Sequence, residues 1–128
     1  LISLAAPTTS PERLRRLADE SQGYLYYVSF SGVTGASITD ASDVAAKAGS
    51  LRAMSKVPVL IGFGIKDAGS ASAMAAIADG IVVGSALVER LSTAGSAEEA
   101  AARAGTFLAP LRAAIDASDA PVATGQIG

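Results

Sequence analysis

Four short runs in this chain are apolar without a polar residue at every second position, and that lack of alternation limits the folds open to it. They are Leu1 to Ala5, Tyr24 to Phe30, Val57 to Ile61 and Ile81 to Val83. A strand with one wet face alternates, whereas a run such as Ile81 to Val83 reads as a strand buried on both faces. Helical patterns separate the four runs, so they predict a parallel sheet joined by right-handed crossovers, an α/β fold of four strands alternating with helices.

The first helix is signalled by Ser10 as N-cap, Pro11 at the first helical position and a stripe of Leu14, Leu17 and Ala18, with Gly23 ending it. A second helix begins at Thr39 or Asp40 and carries Val44, Ala48 and Leu51 at helical spacing. In the third run Pro58 fits best at the strand's first residue, because it has no N–H for a ladder. A third helix is read over Ala68 to Ala78 with Met74 and Ile77 inward, and Ser85 opens a short fourth. The last covers Ala97 to Ala117, with Phe107, Leu108, Leu111 and Ile115 as its stripe and Pro110 expected to kink or split it. Residues 1–118 are read as the folded unit and 119–128 as a flexible tail, since that end shows no periodicity.

In parallel α/β folds ligands bind at the carboxyl ends of the strands. The residues falling there are Pro7 to Thr9, Ser29 to Gly35, Gly62 to Ile65 and Gly84-Ser85. Glycine lets a phosphate approach the backbone, and the first N–H groups of a helix are unpaired donors at the positive end of its dipole. Gly84-Ser85 alone reads equally as an ordinary turn and N-cap. With the other glycine-rich turns on the same face, it makes a phosphate cup the better reading. Among Tyr24, Tyr26 and Tyr27, which alternate along one strand, one side chain either lines a pocket or packs in the core. Phe63, between two glycines, is open to the same two fates.

Composition closes other routes. The chain has no Cys and no His, so it forms no disulfide, thiolate nucleophile or Ser-His-Asp triad. A net charge of −2 with scattered cations argues against nucleic acid and anionic membranes as partners. No apolar run approaches the ~18 residues of a membrane span, which points to the cytoplasm. Asp40 and Asp67 read as helix-start residues, which leaves no acid or base at the strand ends. The chain opens at Leu1 in an apolar run, as a segment processed or cut from something longer would.

Tyr26-Tyr27-Val28-Ser29, Gly32-Val33-Thr34-Gly35, Gly62-Phe63-Gly64-Ile65 and Asp79 through Ala86, in that order and spacing and after Ala6-Pro7-Thr8-Thr9, closely resemble the second half of the tryptophan synthase α subunit. The resemblance implies the C-terminal half of a TIM-type (β/α)8 barrel. It implies a lyase that cleaves indole-3-glycerol phosphate to indole and glyceraldehyde 3-phosphate in tryptophan biosynthesis. It also implies a β-subunit partner in an α2β2 tetramer, with pyridoxal phosphate belonging to that partner and no cofactor in the α chain. By the same resemblance Gly35, Gly64, Gly84 and Ser85 bind the phosphate, Phe63 and Tyr26 line the indole pocket, and the Ser31 to Ser37 loop closes over substrate. Thr34 would orient a catalytic carboxylate. The family's catalytic Glu and Asp lie in its first half, so no catalytic residue is expected in this segment and no activity from it alone.

Two other readings stay open: a non-catalytic phosphate-binding half barrel, and another phosphosugar barrel enzyme. Four strands of a half barrel leave two unpaired edges and one uncovered face. Self-association, or a molten and aggregating monomer, is therefore expected.

Overall fold

Strands and helices alternate along the chain as β1 (Ser3–Ala5), α1 (Pro11–Glu20), β2 (Leu25–Val28), α2 (Ala41–Met54), β3 (Val59–Gly62), α3 (Ala68–Ala75), β4 (Gly80–Val82), α4 (Ser85–Leu91) and α5 (Ala97–Gly125). This computed structural model describes residues 1–28, 41–62 and 64–125. They fall into two compact units, Leu1–Gly64 with Ile77–Val82, and Ile65–Ala76 with Val83–Gly128.

The first unit holds the sheet. Its order is β1-β2-β3-β4 and every pairing is parallel. Register places Ser3, Leu25 and Val59 in one row, and Ala5, Tyr27, Ile61 and Ile81 in the next row on the same face. Leu25, Tyr27, Val59 and Ile61 on that face are fully buried, beside Ala18 of α1 and Val44, Ala48 and Leu51 of α2. Leu4, Tyr26, Val28 and Leu60 point to the other face and are half-buried at most, with Leu4 62% exposed. The reading of these strands as buried on both faces is therefore corrected. One face has its helices, and among the described residues of this unit the other is left partly open.

Local chemistry sets the element ends. Ser10 caps α1 by accepting from the Arg13 N–H at 3.3 Å, with Pro11 next, as the sequence signalled. The helix stops at Glu20, and Gly23, at φ 82°, turns the chain into β2. β3 begins one residue after Pro58, which stays outside the ladder and uses its carbonyl to accept from Leu25 N–H at 2.9 Å. At the same end Asp79 accepts from Val59 N–H at 2.8 Å and pairs with Arg52 at 3.0 Å, joining β3, the start of β4 and α2. The expected start of α2 at Thr39 or Asp40 lies outside the described residues.

In the second unit α3 ends at Ala75, shorter than the sequence suggested, so Ala71 rather than Ile77 is its buried contact. Small residues let α3 and α5 approach, and the Ser72 and Ser118 hydroxyls meet at 2.9 Å. Phe107 and Leu111 are the buried part of the α5 stripe, whereas Leu108 is 38% exposed. α5 is a single element through Pro110 and on to Gly125, so the proline does not split it and helix extends beyond the boundary drawn at residue 118.

Candidate functional site

All four strands run the same way, so their carboxyl ends share one edge of the sheet, where the sequence places the candidate ligand residues. At β1 this end is a tight turn in which Thr9 N–H donates to the Ala6 carbonyl at 2.9 Å, and the Thr9 hydroxyl accepts from Ala6 N–H at 2.9 Å. Lys47 of α2 donates to the Pro7 carbonyl at 3.2 Å, tying that turn to the helix.

Tyr26 is half-buried on the open face of the sheet. Tyr27 goes into the core at 1% exposure, whereas the Tyr26 phenol lies over Gly62 of β3. A methyl group built on Gly62 would overlap the Tyr26 hydroxyl and ring, so the glycine is what admits the ring there. Sequence reasoning treated Gly62 as part of a turn. The register that puts it diagonally beside Tyr26 is a tertiary fact with no local signal.

Gly64, just beyond β3, has φ 74°, and a side chain there would meet no neighbour within 4 Å. Backbone conformation alone, not crowding, thus favours glycine at this point. Gly84 is the N-cap of α4, with φ −119° and ψ −85°, and Ser85 is the first helical residue. Both are exposed, and no side chain caps this helix start. The first α4 bonds run from Leu87 and Val88 N–H to the Gly84 carbonyl, leaving the N–H groups of Ser85 and Ala86 without an acceptor inside the helix. Gly35, Thr34, Phe63 and the Ser31 to Ser37 loop lie outside the described residues. Tyr26 and Gly64 thus belong to the first unit, and Gly84 and Ser85 to the second.

Three carboxylates of the second unit have structural duties. Asp67 caps α3, accepting from Ser70 N–H at 2.8 Å while Ser70 answers the Asp67 N–H at 3.2 Å. The Ser70 backbone donor, then its hydroxyl, hold the Asp67 carboxyl below its ordinary range. Glu99 is held low chiefly by the Gly95 N–H and then by Arg103, and Asp116 chiefly by its bond from Arg112. A broad depression of about 1250 Å³ in the second unit is floored by Phe107 and edged by Arg90, Arg103, Glu89 and Glu99. Among the described residues, Tyr26, Gly64, Gly84 and Ser85 do not line it, and its charges of both signs single out no ligand.

A sequence profile described as tryptophan synthase alpha chain matches residues 1–116. The chain belongs to the tryptophan synthase alpha chain family. Over 117 residues it is 60% identical to the tryptophan synthase alpha chain of Xylella fastidiosa strain 9a5c, spanning 91% of this chain and 44% of that relative. The crystal structure of tryptophan synthase alpha chain from Legionella pneumophila superposes with a TM-score of 0.70 at 36% identity, over 90% of this chain and 42% of that one. A tryptophan synthase structure from M. tuberculosis gives 0.68 at 31% identity, covering 88% and 39%. The chain therefore spans less than half the length of the relatives it matches, in their C-terminal part, and its four parallel strands alternating with helices are half of their TIM-type barrel.

Proposed function

We propose that this chain provides the phosphate- and indole-binding side of a tryptophan synthase alpha chain, a lyase acting on indole-3-glycerol phosphate in tryptophan biosynthesis. The observation that carries this reading is the 60% identity to a curated alpha chain across 117 residues, a span that includes every candidate site residue. In this reading backbone N–H groups at Gly35, Gly64 and Gly84 and the Ser85 hydroxyl hold the phosphate. The exposed start of α4, with two unengaged N–H donors and no side-chain cap, has the chemistry for its share. Tyr26 and Phe63 flank the indole, and Thr34 orients a carboxylate that the matched segment does not supply.

Asp67 caps a helix, and Asp79, Glu99 and Asp116 form ion pairs. In this reading the 128 residues bind ligand and do not cleave it by themselves. The chain works without a cofactor of its own, in the cytoplasm, and its partner is the pyridoxal-phosphate β subunit.

Calorimetric titration with indole-3-propanol phosphate, a non-cleavable substrate mimic, tests this against a Gly84→Asp variant. A side chain at Gly84 has open space around it, so the substitution adds a negative charge without a clash. Binding by the parent and its loss in a folded variant are expected. Equal binding by both would remove Gly84 from the phosphate site, and no binding by a folded parent would confine the reading to the longer relatives.

A further inference from the structure

We propose that two copies of the 128-residue chain close into one eight-stranded parallel barrel, the β4 edge of each copy pairing with the β1 edge of the other. The order β1-β2-β3-β4 leaves two outer edges that pair with no strand among the described residues, one on β1 and one on β4. In the relatives the barrel continues from both edges into strands that belong to the length this chain does not span, since it covers 44% of the Xylella relative and 42% of the Legionella one. In a solution of this chain alone, the strands available to those edges are those of a second copy.

Strand direction decides how the copies meet. All three pairings are parallel, so a second copy turned by half a revolution about the barrel axis brings its β1 to β4 in the parallel sense and, at the same time, its β4 to β1. The ring closes after two copies, because four strands are half of the eight in a TIM-type barrel. Pairing β1 with β1 across a twofold axis would instead run antiparallel and leave both β4 edges open.

The face that such a barrel encloses suits a copy of itself. Register puts Leu4, Tyr26, Leu60 and Gly80 in one row across the open face, and Val28, Gly62 and Val82 in the next. None of them is charged, so two such faces meet without burying an unpaired charge. Both glycines are covered from within their own copy. The Tyr26 ring lies over Gly62, and a Leu60 side-chain carbon is 3.2 Å from where a methyl group on Gly80 would sit. Leu4, at the β1 edge, stays 62% exposed, and β4 of a second copy beside it removes that surface from water.

The test needs no variant. Sedimentation equilibrium measures the mass of the 128-residue chain over a range of concentrations, and amide hydrogen exchange is read by mass spectrometry at both ends of that range. The expected result is a doubling of mass with nothing larger, accompanied by exchange slowed about tenfold or more in both β1 and β4. A dimer protected at β1 but not at β4 would mean antiparallel pairing of the β1 edges and overturn the proposal, as would a dimer protected at neither edge. Species that grow beyond two copies would mean that the pairing does not close, and a monomer at every concentration would mean that the edges stay unpaired. Either result overturns it as well.

Discussion

Gly62 and Tyr26 share the open face of the sheet, and the missing side chain at one decides where the ring of the other lies. Alanine at 62 would force the ring away, and overpacking of this kind costs about 1–3 kcal/mol. Gly62→Ala is therefore expected to destabilise the chain, and Tyr26→Ala in the same background to restore part of the loss. Urea unfolding of the two single variants and the double variant measures the coupling. A value below about 0.5 kcal/mol would show that the ring does not depend on Gly62. Of this pair only Tyr26 was legible in the sequence, because its apolar strand advertises itself, whereas the need for Gly62 arises from a neighbour more than thirty positions away.

At the scale of elements, caps and ion pairs sort α3 and α5 by charge. Asp67, Glu99 and Asp116 all have carboxyls held below their ordinary range by bonds that exist only in the folded chain. A carboxylate depressed on folding stabilises the fold above its unfolded pKa, and the gain is lost as pH falls through the folded one. Thermal unfolding followed by circular dichroism should thus show a midpoint that is flat near neutrality and falls below about pH 4. Asp67→Asn keeps an acceptor at the cap without titrating, so it should reduce that acid sensitivity while leaving the neutral midpoint nearly unchanged. An unaltered acid limb in this variant would take Asp67 out of the account. The caps themselves were readable: Ser10-Pro11 and Asp67 stand where the sequence signalled helix starts. The sequence leaves open whether Pro110 kinks α5 or splits it, because a proline's local penalty can be outweighed by contacts such as those of Phe107 and Leu111.

At the scale of the molecule, three of the exposed large apolar residues gather at the first strand. Leu1, Ile2 and Leu4 are 76%, 51% and 62% exposed, at or beside β1, which among the described residues pairs on one side only. An open edge next to exposed leucines is a template for association between chains. Light scattering of the isolated 128 residues should therefore show association that rises with concentration. Leu4→Lys should reduce it, since lysine on an edge strand opposes pairing. A monodisperse monomer at all concentrations would mean that these residues satisfy themselves.

The sequence by itself determined the order of strands and helices, the parallel sheet and the family, because apolar runs, caps and glycine-rich turns are local signals carried in a fixed order. Tertiary structure alone decided which face of each strand is buried, which tyrosine enters the core and which glycine makes room for its neighbour. Those outcomes depend on strand register and on helix contacts between residues far apart in the chain. The same holds for Arg103, which donates to the Arg90 carbonyl, the Thr93 hydroxyl and the Glu99 carboxylate, three acceptors that no residue pattern brings together before the chain has folded.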